Sequence, residues 1–269
     1  MDADPLGGDG RGAEPLLTAI DPSSAALVRL GDVGSTNDEA MERLRDGGVP
    51  VWVLAVRQLT GRGRRGRPWV SEAGNLYASF AFISDLPTDA FGLLPLAVAV
   101  AVADAIDAAT GLSTRVKWPN DVLVEGGKVC GILVETQISG PPEPMRRVVI
   151  GIGVNVGHAP EGTTSQIPVT CLSEHCPEID AETVFSHLKP ALADVIATLD
   201  APNGIGAIRD RWLARAVGLG EHVIVRFDQD TREGRFDGLD PTGRLILVDG
   251  AGGVSLITAG DVFVRSERV

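Results

Sequence analysis

Nine residues, GRGRRGRPW at positions 61–69, hold four arginines and three glycines. Guanidinium groups grip carboxylate and phosphate oxygens two at a time, and the glycines between them leave the backbone free to fold around whatever is gripped. Like charges this close repel, so the segment is expected to be loose until an anion arrives and ordered once it holds one. The fitting ligand carries a carboxylate and a phosphate, or one turning into the other. Trp69 follows directly and is suited to stacking on a base, although the same indole also suits a place in the core. Taken alone, the run equally fits a solvated basic loop that binds nucleic acid.

Three further stretches carry polar groups at positions where chemistry is done. KWPND, residues 117–121, sets Lys117, Asn120 and Asp121 around a Pro-Asn turn at the end of a strand, where Asn and Asp also serve as ordinary turn formers. In GGKVCGILVE, residues 126–135, Lys128 opens an apolar strand, and Gly131 inside it permits close approach of a ligand or of another backbone. Lys128 also reads as an ordinary exposed lysine. GIGVNVG, residues 151–157, puts Asn155 within an alternating strand; an inward amide there pairs with an adenine edge or makes a structural bond to a loop.

Other chemistries are excluded by context. GRGRRG satisfies G-x-G-x-x-G, but the dinucleotide fingerprint must open a helix, and here RPWVSEAGN leads through Pro68 and Gly74 into another strand. No Walker A sequence and no G-x-S-x-G occurs. His158, Cys171, His175 and Cys176 match no zinc-ligand spacing, so no structural zinc is expected. The formal net charge is -12 and the pI about 4.8, which argues against a nucleic-acid surface spread over the molecule. Positive charge is local: Arg57, Arg62, Arg64, Arg65 and Arg67 are five of 24 basic residues, and no acid lies between Val51 and Val70. Three cysteines at irregular spacing fit a reducing compartment, the N-terminus lacks the pattern of a signal peptide, and the cytoplasm is the expected location. The longest apolar run, Phe91 to Ala103, is shorter than the roughly 20 residues needed to span a membrane, so no membrane association is expected.

The elements that must position these groups follow from periodicity. STNDEAMERLRDGG predicts a helix of about three turns with Thr36 as N-cap, Glu39 completing a capping box and Gly47 as stop. VPVWVLAVRQ and NLYASFAFIS are strands joined by the arginine segment. A long alanine-rich helix runs from caps at Thr88 and Asp89 to Thr110, closed by Gly111. Further strands are predicted in STRVKWP, in DVLVEGGKVCGILVETQI folding back at Gly126 and Gly127, and in RRVVIGIGVNV. Two helices follow, over residues 180–200 with a kink at Pro190 and over 205–216. From Val217, short strands divided by DPTG and DGAGG turns predict a small β-barrel. The expected fold is α+β: a mixed, mostly antiparallel sheet with helices packed on one face, then the barrel. The expected organisation is a flexible tail over 1–22, a ligand-binding domain over 23–216 and the barrel over 217–269.

Taken together, GSTN, RQLTGRGRRGRPW, KWPND, GGKVCGILVE and GIGVNV closely resemble the biotin protein ligases in order and spacing, over roughly residues 30–265. Lipoate ligases, which share the fold and a related lysine motif, stand second; a cationic-loop protein that binds nucleic acid is the non-enzymatic alternative. The resemblance implies a class II synthetase-like ligase domain and an SH3-like barrel. It also implies a two-step reaction, in which biotin and MgATP give biotinyl-5'-AMP and pyrophosphate, and a lysine of a biotin carboxyl carrier protein then takes the biotinyl group.

By the same resemblance, Arg64 and Lys128 stabilise the charge that builds where a carboxylate meets the α-phosphate. Asp121 orients the acceptor lysine, accepts its proton or binds Mg²⁺. Ser35, Thr36 and Gln58 bond the ureido ring of biotin, Gly131 lets it lie close, and Asn37, Gly61, Arg62 and Gly63 complete the biotin set. Trp69 and Asn155 hold adenine, and Arg62, Arg65, Arg67, Lys117 and Asn120 belong to the nucleotide end. Cys130 stands where many relatives have a small residue such as Ala and is expected to make the strand oxidation-sensitive. Some 25 residues precede the pattern, against about 60 for a helix-turn-helix, so neither repression nor DNA binding is expected. Monomer and homodimer are both open.

Overall fold

The computed structural model describes residues 20–84, 91–139, 146–160, 167–227 and 229–264. The expected tail over 1–22 and the caps at Thr88 and Asp89 lie largely or wholly outside them. A seven-stranded sheet comprises β1 (Ala26–Val33), β2 (Val51–Gln58), β3 (Leu76–Ser84), β4 (Arg115–Lys117), β5 (Asp121–Val124), β6 (Gly127–Ile138) and β7 (Arg146–Val154), in the spatial order β1-β2-β3-β7-β6-β5-β4. Only β1 and β2 pair in parallel, through the crossover helix α1 (Thr36–Gly47); every other pair is antiparallel. β1 carries no sequence prediction, because an edge strand that is mostly exposed lacks the apolar density that marked the others.

Alternation along the strands decides what packs where. Trp52 and Leu54 of β2, Phe80 and Phe82 of β3, and Ile150 and Ile152 of β7 face one large core. Over that face lie α2 (Leu94–Thr110), α3 (Ala181–Asp200) and α4 (Gly204–Leu213), the arrangement the pattern predicts. Val51, Val53, Ala81 and Val149 point the other way and meet Ala40 and Leu44 of α1, so this one short helix covers the opposite face. α2 is buried along most of its length because it lies between sheet and helices, and Gly111 closes it in the left-handed conformation. Arg211 and Arg215 of the α4 segment clamp Asp104 and Asp107 of α2 and Asp194 of α3.

Several local expectations shift by a residue. Ser35, not Thr36, is the N-cap of α1, and no capping box forms: the Thr36 hydroxyl is engaged with Gln58 and the Glu39 carboxylate with Arg43. Gly48 (φ 66°), not Gly47, provides the left-handed stop. The β5–β6 hairpin turns at Glu125 and Gly126, both at positive φ, while Gly127 already pairs with Val124. A Cβ on Gly127 would lie 2.6 Å from the Thr170 methyl. α3 passes through Pro190 without a break.

The C-terminal strands β8 (His222–Arg226), β9 (Thr231–Leu239), β10 (Leu245–Val248), β11 (Val254–Ile257) and β12 (Asp261–Val264) form an antiparallel five-stranded sheet in the order β11-β10-β9-β8-β12. Its inner residues join the same apolar cluster as α2 and α4, with Phe236 edge-on to Trp212 at 6.3 Å. The DPTG turn docks on the larger unit, where Trp118 Nε1 donates to the Gly243 carbonyl at 3.1 Å. No helix among the described residues is long and apolar enough to cross a membrane.

Trp52 tests this packing. It is fully buried against Phe80 (4.9 Å) and Phe185 (5.2 Å), and its Nε1 donates to the Pro22 carbonyl at 2.8 Å. Trp52→Ala should lower the stability measured by urea unfolding by about 3–5 kcal/mol. Trp52→Phe should cost about 1–3 kcal/mol, since it keeps most of the apolar contact and strands the Pro22 oxygen.

Candidate active site

On the α1 face of the sheet a cavity of about 720 Å³ opens between the β2–β3 connection, the KWPND turn and the C-terminal sheet. Its floor follows from register. Gly131 lies opposite Gly153, Leu133 opposite Gly151, and Ser79 of β3 on the far side of Gly151, all on one face by alternation. A Cβ on Gly153 would fall 2.6 Å from Trp69 Nε1, one on Gly131 2.9 Å from Trp69 Cζ3, and one on Gly151 2.3 Å from Asn37 Oδ1. Glycines here let an indole and an amide settle directly on the strands. Trp69 is thus a close neighbour of Gly131. Gly151 and Gly153 escaped the sequence reading, although their i, i+2 spacing in GIGVNV already put both on one face.

One end of the cavity is neutral and hydrogen-bonding. Ser35, Thr36, Asn37 and Gln58 line it. Gln58 Oε1 accepts from the Thr36 amide at 2.9 Å and from its hydroxyl at 3.0 Å, while Gln58 Nε2 donates to Ser71 Oγ at 3.1 Å. Ser79, with no exposed surface, stands below Thr36 Oγ1 (2.8 Å) and Asn37 Oδ1 (2.6 Å).

The other end is cationic. Lys128 Nζ stands 2.6 Å from Asp121 Oδ1 and 5.4 Å from the centre of the Trp69 ring. Arg64 Nη1 donates to Asn120 Oδ1 at 3.2 Å, and Asn120 Nδ2 donates to the Ile132 carbonyl at 2.7 Å. Lys117 projects over the ring of Phe263. Burial holds both the Lys117 ammonium and the Arg64 guanidinium below their ordinary pKa ranges, against the pull of Asp121 and Asp261. Three cations therefore meet around Asp121, two of them short of solvation. Arg226, Asp261 and Phe263 of the C-terminal sheet complete the wall; nothing in their local sequence marked them, because only the packing of the two units brings them here.

The arginine segment is folded as a hairpin. Gly63 N donates to the Arg67 carbonyl at 2.7 Å and Trp69 N to the Gly61 carbonyl at 2.9 Å, closing a hairpin. The acids missing from the local sequence arrive from elsewhere in the fold. Arg62 donates to Asp38 (2.9 and 2.7 Å) and to Glu135 (3.0–3.2 Å), and Arg67 pairs with Asp261. The Asp38 hydrogen bond raises the pKa of Arg62 and is itself what lowers that of Asp38. Burial alone would push the Asp261 carboxyl up; the bond and charge of Arg67 outweigh it and hold it low. Arg65 and Arg67 still repel the Arg64 guanidinium, while these carboxylates supply the opposing charge. Gly63 lines the cavity, whereas Gly61 and Arg65 do not: Gly61 is packed against the Trp69 carbonyl and Ser71, and Arg65 occupies the exposed tip at φ 58°.

Asn155 lines the cavity and donates from Nδ2 to the Thr170 carbonyl at 3.2 Å, the structural bond to a loop. Cys130 is fully buried on the helix-covered face, and burial pushes its thiol well up, away from the thiolate that oxidation needs. Oxidation sensitivity is therefore not a property of this strand. Among the described residues, no group of three or more His, Cys, Asp or Glu side chains is placed to hold a metal ion.

Comparison with known proteins adds an independent line. The model of the biotin/lipoate A/B protein ligase family matches residues 33–155, and that of the biotin protein ligase C-terminal domain matches residues 218–265. A biotin-[acetyl-CoA-carboxylase] ligase of Paracoccus denitrificans is 41% identical over 242 residues, covering 87% of this chain and 98% of that protein. The protein of the same name from Mycobacterium tuberculosis is 34% identical, with 87% and 86% covered. The solved structure of a biotin protein ligase from Aquifex aeolicus in complex with biotin and ATP superposes with a TM-score of 0.70 at 26% identity, covering 89% of this chain and 98% of that one. With both units matched, the chain belongs to the biotin/lipoate protein ligase family, among its biotin protein ligases.

Proposed function

We propose that this chain is an ATP-dependent biotin protein ligase that makes biotinyl-5'-AMP and passes the biotinyl group to a lysine of a biotin carboxyl carrier protein. One observation carries the reading: a single cavity joins a neutral hydrogen-bonding end at Thr36 and Gln58 to a cluster of cations at Lys117, Lys128 and Arg64, of which Lys117 and Arg64 are poorly solvated. A ureido ring offers two N–H groups and a carbonyl to the first end. The valeryl chain then runs over the glycine floor and brings its carboxylate to the second. A dithiolane, as in lipoate, has no hydrogen-bonding edge and would leave the first end desolvated and unsatisfied, a mismatch that polar sites reject strongly.

Attack of the carboxylate on the α-phosphorus brings two anions together and loads charge onto the phosphoryl oxygens as pyrophosphate departs. Lys128 and Arg64, fixed in a site with little water, stabilise that charge more in the transition state than in the ground state. Arg62 and Arg67, each held by carboxylates, anchor the hairpin that shields the adenylate from hydrolysis. Once the adenylate engages Lys128, Asp121 is released to orient the acceptor lysine and take its proton, because only the neutral amine attacks the acyl carbon and expels AMP. Asp121 does not fit as a magnesium ligand: its carboxylate already meets the Lys128 ammonium at 2.6 Å, with Lys117 and Arg64 nearby. Magnesium on the nucleotide takes most of its ligands from phosphate and water. Trp69, with its face toward Lys128, and Asn155 serve the adenine. Arg62, Arg64 and Arg67 engage Asp38, Glu135, Asn120 and Asp261, which disfavours a nucleic-acid-binding surface. Free thiols at Cys130, Cys171 and Cys176 support a cytoplasmic setting.

Incubated with biotin, MgATP and a carrier domain, the protein should add one biotinyl mass to the carrier and release pyrophosphate; failure of both rejects the reading. Lys128→Ala should slow adenylate formation in single-turnover assays by about 10²–10³-fold, as for loss of an oxyanion donor. Arg64→Ala should speed release of biotinyl-5'-AMP, measured by chase, by roughly 10- to 100-fold, the range for a lost hydrogen bond to a charged group.

A further inference from the structure

A line of hydrogen bonds runs beneath the arginine hairpin from one end to the other. At its start, Arg62 Nε and Nη2 donate to Glu135, and Glu135 Oε2 also accepts from Asn37 Nδ2 at 2.7 Å. Asn37 Oδ1 meets Ser79 Oγ at 2.6 Å, Ser79 meets Thr36 Oγ1 at 2.8 Å, and Thr36 meets Gln58 Oε1 at 3.0 Å. Gln58 Nε2 then donates to Ser71 Oγ at 3.1 Å, and Ser71 Oγ donates to the carbonyl of Trp69 at 3.0 Å, where the hairpin ends. Thr36, Asn37 and Gln58 line the cavity; Glu135 and Ser79 do not. Any effect of these two on a ligand must pass through their neighbours.

The hydroxyl protons explain how a ligand would be felt. Three short oxygen–oxygen contacts (Thr36 with Gln58, Ser79 with Thr36, Ser79 with Asn37) share two hydroxyl protons. A ligand oxygen that takes the Thr36 proton leaves one proton for the three contacts and makes Thr36 Oγ1 the better acceptor for it, which draws the Ser79 hydroxyl away from Asn37. The change reaches Asn37, and the Asn37 amide faces the same carboxylate that holds Arg62. We infer that Glu135 is a positioning residue that ties closure of the arginine hairpin to occupancy of the polar end of the cavity, an inference that rests on the biotin-ligase reading. Asp38 anchors Arg62 as well, but it is the more exposed of the two acids and makes no bond to the residues of the polar end.

Calorimetry with biotin and tryptic digestion of the full chain read the two ends of this line separately. Trypsin cleaves after Arg62, Arg64 and Arg65 when the hairpin opens, and mass spectrometry counts the products. With the natural sequence, saturating biotin should slow these cleavages about tenfold, within the usual range for coupled sites. Glu135→Gln keeps the shape and an acceptor for Asn37 but drops the charge facing Arg62. Its protection by biotin should fall below about twofold while its Kd for biotin moves less than about threefold. Ser79→Ala leaves the Arg62–Glu135 pair intact and should lose protection in the same way; it carries the test alone if Glu135→Gln does not fold. Protection kept at the natural level overturns the inference, as does biotin affinity lost in step with protection, which would make Glu135 a plain binding group. If the natural sequence binds no biotin, the ligase reading falls and the coupling with it. Biotin binding by all chains keeps that reading whatever the hairpin does.

Discussion

Gly131, Gly151 and Gly153 lie side by side on one face of the two central strands, and the three missing Cβ atoms set what is built above them. Any side chain at these places would lift Trp69 or Asn37 off the sheet. The hairpin that carries Trp69 would rise with it, and Lys128 would lose the ring that its ammonium faces. Such bare strips are costly inside a strand, since glycine weakens pairing and packs nothing. The sheet offsets that weakness on its other face, where Ile132, Ile150 and Ile152 pack under α2 in the main core.

Charge is organised with similar locality. An acidic chain carries its densest cluster of arginines where its own acids can reach them from three directions: Asp38 from α1, Glu135 from β6 and Asp261 from β12. These pairs are partly exposed, so each contributes modestly to stability. Their larger effect is positional, because a guanidinium bound by two carboxylates has few orientations left. Arg64 differs. It donates to a neutral amide, Asn120, and burial rather than a bound carboxylate dominates its titration. Its charge faces the cavity, where an anionic ligand can meet it.

Much of this was legible in the sequence, and the parts that were not share a cause. Strand alternation and glycine stops located the helices and the strands from Val51 onward, because one buried face imposes a period that composition displays. β1 escaped since an edge strand is mostly exposed, and the capping box at Thr36 failed because Gln58 claimed the Thr36 hydroxyl and Arg43, one turn on in the same helix, claimed the Glu39 carboxylate. At the site, the motif residues Lys128, Asp121, Arg64 and Gln58 converge on one cavity. The partners that hold their neighbours Thr36, Asn37, Arg62 and Arg67, namely Ser79, Glu135, Asp38 and Asp261, carry no local signal: a serine in a strand or an acid on a helix acquires meaning only from register and docking. The counter-charges of the arginine run were equally invisible, as they lie 24 to 194 positions away in sequence.

The shared core of the two sheets has a consequence of its own. Phe236, Leu245 and Leu247 are continuous with Leu96, Trp212 and the rest of the main apolar cluster. A chain cut after Ala216 would turn that seam outward and remove Asp261 and Phe263 from the cavity wall in the same stroke. The C-terminal sheet is therefore less an appended module than the last course of masonry: melting it should take the whole molecule, and the two halves cannot be bred apart or swapped between relatives without recutting the joint.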